Sequence, residues 1–134
     1  MTEPHALDEY VRVAEFRAAL RRFLRRTERI ARDAGLTPQR YLLLLMIKGA
    51  ADGSERSTVT TLADRLQLAQ STVTELVGRA EQAGLVSREP SRADGRVAHL
   101  GLTERGEELL AAAFTGLEAE RRSLLSSLVN IERA

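Results

Sequence analysis

Apolar residues recur along the first quarter of the chain at the spacing of an α-helix. From about Pro4 to Ala34 the period is near 3.6, which predicts one long amphipathic helix. Its apolar positions are Tyr10, Ala14, Leu20, Phe23, Leu24, Ile30 and Ala31. Seven arginines occupy its other faces: Arg17, Arg21, Arg22, Arg25, Arg26, Arg29 and Arg32. The simplest interpretation is that these arginines hydrate the outer side of the helix.

A second helix is predicted to begin directly after a glycine stop. Gly35 fits the position that follows a helix end, while Thr37 can cap a new helix with Pro38 at its first position. The segment "RYLLLLMIKGA" is almost entirely apolar, which is too hydrophobic for a surface helix. We expect it to be buried on most sides.

Two further helices with a tight connection follow a turn-rich loop, "ADGSERS". Thr58 can cap a short third helix, and after "QLAQ" the segment "STVTELVGRAEQAG" predicts a fourth helix that ends at Gly84. The inward residues are Leu62, Ala63 and Leu66 on the third helix, and Val73, Leu76, Val77 and Ala80 on the fourth. The pair is typical of a helix-turn-helix, although helical bundles also contain such hairpins.

A β-hairpin is predicted immediately after the fourth helix. "LVSRE" and "RVAHLGL" have strand-like composition, and "PSRADG" between them is a turn. Ala98, Leu100 and Leu102 share one face of the second strand. A helix-turn-helix followed by such a hairpin is a winged helix, so the predicted fold is mainly α with a small β-hairpin wing.

The tip of the wing carries Arg92 and Arg96 on either side of Gly95. A narrow hairpin can enter a DNA minor groove, whose negative potential attracts guanidinium groups. Asp94 is better suited to accept hydrogen bonds from turn amides or from an arginine, which would fix the direction of Arg96.

The exposed face of the fourth helix is what remains after its buried stripe is subtracted, and it is our candidate surface for base and phosphate contacts. Gln70 could read adenine, Thr74 could meet a thymine methyl group, and Arg79 is better placed for the phosphate backbone. Glu75 is either a cytosine reader or a deterrent to nonspecific binding. The candidate residues are Gln70, Ser71, Thr72, Thr74, Glu75 and Arg79.

The last segment predicts a helical region with more apolar surface than the small core can cover. Thr103 can cap it, and its stripe is Leu110, Phe114, Leu117, Arg121, Leu124 and Leu128, at alternating steps of four and three. The first helix and a second copy of the chain would cover this stripe, which predicts a homodimer. Residues 4–34 and 103–130 are the expected dimerisation helices of a single chain, 1–134, around a DNA-binding region at 36–102.

Composition excludes several functions. With 20 basic and 19 acidic residues the net charge is +1, so no general polyanion binder is implied. The absence of cysteine removes disulfides, thiol nucleophiles, thiolate zinc sites and cysteine redox switches. His5 and His99 lie far apart, and there is no P-loop, so we expect neither an enzyme nor a bound metal or cofactor. No signal peptide or membrane span is evident, and we expect a cytoplasmic protein.

A small-molecule site is harder to place. Aromatic and apolar residues of the first two helices could line a cleft in which Arg17 or Arg40 pairs with an anion, although interhelical packing is the simpler interpretation of these residues. The candidate residues are Tyr10, Phe16, Arg17, Leu20, Tyr41 and Leu45.

The segments "LTPQRYLLLLMI", "TLADRLQLAQSTVTELVGRAEQAGLVSR", "DGR" and "LTERG" together resemble the MarR family of bacterial transcriptional regulators, from about Leu36 to Leu110. The resemblance implies a homodimer on a pseudo-palindromic operator in double-stranded DNA. Its recognition helix enters the major groove and its wing arginine, here Arg96, the minor groove. It also implies a repressor, often relieved by a small aromatic or phenolic anion.

Two features leave alternatives open. Chains of this family usually continue into another helix, whereas this sequence stops at "NIERA", which leaves the strength of the dimer open. A winged-helix module that binds proteins rather than DNA is the second hypothesis, and the near-zero net charge permits it.

Overall fold

A computed structural model describes residues 4–90 and 97–132. The terminal helices are α1 (Leu7–Asp33) and α6 (Glu118–Glu132). Between them lie α2 (Pro38–Lys48), α3 (Val59–Leu66), α4 (Gln70–Gln82), β1 (Val86–Pro90), β2 (Ala98–Leu102) and α5 (Glu104–Gly116). The predicted class, mainly α with one small hairpin, is confirmed.

Three helices begin at the threonines that the sequence predicts. The Oγ1 atoms of Thr37, Thr58 and Thr103 each accept a hydrogen bond from the amide three residues later, at 3.1 to 3.2 Å. These bonds satisfy amides that the helix itself leaves unpaired. The start of α4 differs, because Ala69 precedes it and provides no side-chain cap.

The core forms where α2, α3, α4 and the hairpin meet. The predicted stripe of α4 is entirely buried, and α2 contributes four buried residues, as its apolar composition requires. The largest fully buried side chains are Leu36, Leu43, Leu44, Ile47, Leu62, Leu100, Leu117, Val73 and Val77. Burial of this set is the main source of stability, since each large aliphatic side chain contributes about 1.5–3 kcal/mol.

The hairpin is antiparallel and attached to the loop that follows α2. β1 pairs with β2 in a register that places Val86 opposite Leu102 and Arg88 opposite Leu100. Ser57 exchanges two backbone hydrogen bonds with Leu100, at 3.0 and 2.7 Å. The loop therefore extends the sheet by one bridge and holds the N-terminus of α3 beside the wing.

Thr103 and Gly106 join α5 closely to the end of α4. The Thr103 hydroxyl donates to the Gly84 carbonyl at 2.6 Å, and its amide donates to the Leu85 carbonyl at 3.0 Å. The backbone at Gly106 approaches the Leu85 carbonyl oxygen so closely that a Cβ atom there would overlap it. Only glycine fits this position.

The C-terminal segment departs from the prediction in one way. The range 103–130, expected to supply one dimerisation helix, forms two helices, because the α-helix is interrupted at Leu117. The first helix covers part of this segment, as predicted: Ile30 lies against Gly116 at the end of α5, and the Glu120 carboxylate of α6 is 3.1 Å from Arg26 Nε. α6 thus covers part of α1 within one chain.

The outer ends of α1 and α6 remain apolar and exposed. Tyr10 and Leu24, expected to point inward, are 56% and 51% exposed. The other exposed large apolar residues of these helices are Leu7, Val11, Val13, Leu125, Leu128 and Val129. None of the helices in the described ranges combines the length and hydropathy needed to cross a bilayer.

Candidate nucleic-acid interface

One face of α4 presents the six residues of this helix that were predicted to contact DNA. The side chains of Gln70, Ser71, Thr72, Thr74, Glu75 and Arg79 are exposed. Their exposure follows from the 3.6-residue period, because the opposite face is anchored in the core by the four buried residues of the helix. The result is a polar ridge with short side chains near the start of the helix.

The two charged residues of this ridge form an ion pair with each other, so the ridge has no net charge. Arg79 Nη2 lies 2.8 Å from Glu75 Oε1, one helical turn away, and both side chains are more than 60% exposed. Such an exposed pair contributes little to stability. The pair matters more for the charge that the ridge presents to DNA, because Glu75 neutralises the only arginine of the ridge.

The connection between α3 and α4 fixes how the ridge is presented. Gln67 adopts the left-handed conformation, with φ 56° and ψ 46°, and its side-chain amide donates to the Asp64 carbonyl at 2.6 Å. The Leu68 amide then bonds to the Ala63 carbonyl at 3.0 Å. This turn connects α3 to α4 through only three residues, which is the short connection that a helix-turn-helix requires.

The base of the wing carries basic residues held by carboxylates. Arg88 on β1 donates from Nε to Glu81 of α4 at 2.8 Å, and Arg56 pairs with Glu89. Arg56 was missed by the sequence analysis, because it lies in a loop and the bridge at Ser57 alone brings it to the hairpin. The predicted tip residues Arg92, Asp94 and Arg96 lie outside the described residues.

A three-membered ionic cluster ties this region to α5. Lys48, at the end of α2, pairs with Glu55 of the following loop and lies 2.9 Å from a Glu107 carboxylate oxygen of α5. Hydrogen bonds to Glu55 and then Glu107 raise the pKa of Lys48, and the bond from Lys48 lowers the pKa of Glu55. Lys48 and Glu55 are therefore both charged at neutral pH.

The six residues proposed for a small-molecule cleft are not brought together. Tyr41 is buried in the core near Ala31, and burial raises the pKa of its hydroxyl. Tyr10 precedes Ala31 by 21 residues of continuous helix, which corresponds to about 31 Å along the axis. Phe16, Arg17 and Leu20 lie between these positions on α1, and Leu45 packs against the core.

Metal ligation receives no support from the described ranges. Within residues 4–90 and 97–132, no three His, Cys, Asp or Glu side chains are close enough to form a metal site. The side chains of the α4 ridge offer hydrogen-bond donors and acceptors.

Comparison with known proteins identifies the family. The model of the MarR family matches residues 34–97, which include α2, α3, α4 and β1. The HTH-type transcriptional repressor MdtR of Bacillus subtilis is 32% identical over 98 residues, which are 73% of this chain. The chain belongs to the MarR family. The aligned region spans 61% of the length of MdtR.

Solved structures of MarR-family proteins share the fold. AbsC, a MarR family transcriptional regulator from Streptomyces coelicolor, superposes with a TM-score of 0.71 at 24% identity, covering 95% of this chain and 84% of its own. A mutant of MarR from Escherichia coli in complex with operator DNA gives 0.71 at 18% identity, with 87% and 85% covered. The predicted fold class, a winged helix-turn-helix, is thereby confirmed as that of the family.

Proposed function

We propose that this protein is a sequence-specific, double-stranded DNA-binding transcriptional regulator that reads the major groove with α4. The observation that carries the proposal is the exposed polar ridge of α4, displayed by a three-residue turn and followed directly by the wing. A major groove about 12 Å wide admits one helix, and this helix is anchored only on its inner face. The operator-bound MarR structure supports the same use of the fold.

The ridge residues differ in the part of the DNA that they are suited to contact. Gln70 and Thr74 are suited to base edges, because a carboxamide can pair with adenine and a threonine methyl can contact thymine. Ser71, Thr72 and Arg79 are suited to phosphates, which position the protein without reading sequence. Arg92 and Arg96 of the wing would enter the neighbouring minor groove, with Asp94 fixing their loop.

A homodimer presents two such ridges. The exposed apolar residues of α1 and α6 form a surface that a second copy can cover, which is why we assign dimerisation to residues 4–34 and 103–130. The twofold axis then makes the operator pseudo-palindromic, with half-site centres about 34 Å apart. DNA as the target places the protein in the cytoplasm, with binding rather than catalysis as its activity.

Control by repression and by an effector completes the proposal. MdtR is a repressor, and repression is the simplest outcome of a dimer that occupies an operator. A small aromatic or phenolic anion would relieve it by stabilising a dimer geometry that no longer fits the half-site spacing. Titration of salicylate during thermal unfolding tests this part, and an unchanged melting temperature at millimolar ligand would contradict it.

Selection of bound fragments from genomic DNA, followed by variants, tests the proposal as a whole. Thr74→Ala should change the preference among sites, with a loss of about 1 kcal/mol at the preferred base. Arg96→Ala should weaken binding to all sequences and reduce the salt slope by about 0.9. The matched controls are Thr60→Ala on the exposed side of α3 and Arg122→Ala on α6, and neither should alter binding.

The contrary outcome is equally specific. A chain that stays monomeric at micromolar concentration and ignores every DNA fragment at low salt is not a DNA-binding regulator. If it then retains a protein partner after combined substitution of Arg92 and Arg96, it is a winged-helix interaction module.

A further inference from the structure

An open groove between α1 and α6 concentrates positive charge away from the α4 ridge. Its volume is about 840 Å³, within the range of small-molecule sites. Five arginines of α1 line it: Arg22, Arg25, Arg26, Arg29 and Arg32. Glu28, Asp33 and Glu120 also line it, which leaves the groove with a net charge of +2 in a chain whose total is +1.

The arginines of this groove are mostly without counter-ions. Arg26 pairs with Glu120 at 3.1 Å. In the part of the chain that the structure describes, Arg22, Arg25, Arg29 and Arg32 have no carboxylate within 4.0 Å. They are spaced three or four residues apart, where like charges repel one another on a helix surface. A bound anion would relieve this repulsion.

The groove also offers an apolar contact. Phe23 is half-buried at its edge, and Ala19 and Ala119 face it from the two helices. A ligand with a compact organic part could rest on these side chains while its anionic end meets the guanidinium groups. An arginine face that is only hydrated by water would not need apolar side chains beside the guanidinium groups.

The groove adjoins only part of the apolar surface that we assign to dimerisation, namely Leu24 of α1 and Leu125 of α6, which lie within two residues of groove-lining positions. Leu7, Tyr10, Val11 and Val13 occupy the first two turns of α1. Arg25 follows Val11 by 14 residues, which is about 21 Å along the helix. A dimer formed through the apolar ends can therefore leave the arginines open to a small molecule.

We propose that this groove binds a small organic phosphate. A phosphate monoester carries a charge of about −1.5 to −2 at pH 7, which matches the net charge of the groove. Guanidinium groups bind its oxygens in paired, charge-assisted hydrogen bonds, a geometry that a lysine-lined groove would lack. The groove and the α4 ridge share no residue, so this binding is independent of the proposed DNA contacts.

Calorimetric titration with adenosine monophosphate tests the proposal, with adenosine and succinate as the uncharged and dicarboxylate controls at constant ionic strength. Adenosine monophosphate should bind, and both controls should bind at least about tenfold more weakly. Arg29→Gln should weaken binding about tenfold, because it removes a charge-assisted contact. Arg29→Lys should fall between the two, since it keeps the charge without the paired geometry.

Arg21→Gln is the matched control, because Arg21 is exposed on the same helix and does not line the groove. It should change the affinity about twofold or less. Equal losses in Arg21→Gln and Arg29→Gln would show general charge screening and overturn the proposal. Binding that weakens as the protein concentration rises would overturn it too, because a second copy of the chain would then fill the groove.

Discussion

The guanidinium group of Arg121 lies over the ring of Phe114, with 3.7 Å between Cζ and the ring centroid. The same side chain donates a hydrogen bond from Nη1 to the Phe114 carbonyl, one of the last carbonyls of α5. Arg121 therefore closes the end of α5 from the first turn of α6. An arginine in an otherwise apolar stripe is explained by this contact.

Replacement of Arg121 should loosen the junction of α5 and α6. We expect Arg121→Met to lower the free energy of unfolding by about 1 kcal/mol, through loss of the cation–π contact and of the carbonyl partner. Urea denaturation measures the change. Arg122→Met removes only an exposed pair with Glu118 and should cost less than about 0.5 kcal/mol. Equal effects of the two substitutions would contradict this role for Arg121.

The start of α4 can be improved, because Ala69 leaves it without a side-chain cap. Ala69→Ser should raise the free energy of unfolding by about 0.5–1 kcal/mol. Thr58→Ala, which removes the corresponding cap of α3, should lower it by a similar amount. Guanidinium chloride denaturation of both variants checks the pair, and an unchanged midpoint for Ala69→Ser counts against an uncapped start.

The contact of Gly106 with Leu85 should tolerate no side chain. Gly106→Ala should destabilise the protein by about 1–3 kcal/mol, because the added methyl group forces the hairpin and α5 apart. Gly78→Ala is the control in the middle of α4, where a Cβ would meet no atom within 4 Å. That substitution should instead stabilise the helix by about 0.5–1 kcal/mol. Thermal unfolding distinguishes the two signs.

The Lys48 cluster predicts a pH window for stability. The pKa of Glu55 is lowered from 4.5, so its contribution is present above pH 4.5 and is lost as the pH falls through the folded value. The pKa of Lys48 is raised from 10.5, so its contribution is present below pH 10.5 and is lost above the folded value. The cluster therefore stabilises the fold between these limits.

Lys48→Met tests this window. The difference in melting temperature between the variant and the parent protein should be largest near neutral pH and shrink as the pH falls below 4.5. Arg12→Met, which breaks an exposed pair with Asp8, is the control and should show a smaller difference at every pH. A difference for Lys48→Met that stays constant from pH 3 to pH 7 would rule out the ionic origin.

Glu75 should limit nonspecific DNA binding by holding Arg79. Glu75→Gln removes a negative charge from the ridge and frees the guanidinium for a phosphate, so the affinity for random DNA should rise. The slope of log K against log salt should steepen by about 0.9 for one added phosphate contact. Fluorescence anisotropy over a salt series measures this. Glu108→Gln on α5 is the control, and its slope should equal that of the parent protein.

The sequence predicts the local structure well where short-range chemistry decides it. Thr37, Thr58 and Thr103 identify the helix starts because a hydroxyl three residues before an amide is a local feature. The buried stripe of α4 is predicted equally well, since the 3.6-residue period of the helix determines which of its faces is buried. The exposed face of α4 then consists of the residues outside that buried stripe.

What the sequence does not predict depends on contacts between distant segments. The helix is interrupted at Leu117, next to Gly116, which lies close to Ile30 of α1. The spacing of apolar residues from Leu110 to Leu128 alone favours one continuous helix through this position. Tyr10 is exposed for a related reason, since a periodic apolar residue is buried only where another element reaches it. The arginine groove appears only when α6 is placed beside α1.

Thr103 connects α4, which we propose binds DNA, to α5, the first of the C-terminal helices that we assign to dimerisation. Its hydroxyl accepts a hydrogen bond from the first turn of α5 and donates one to the carbonyl of Gly84, two residues beyond the end of α4, so one side chain joins the two helix ends. A rotation of α5 about its axis would therefore displace the chain at the C-terminal end of α4 through this one side chain. Any event that reorients the terminal helices would change the tilt of the reading surface directly.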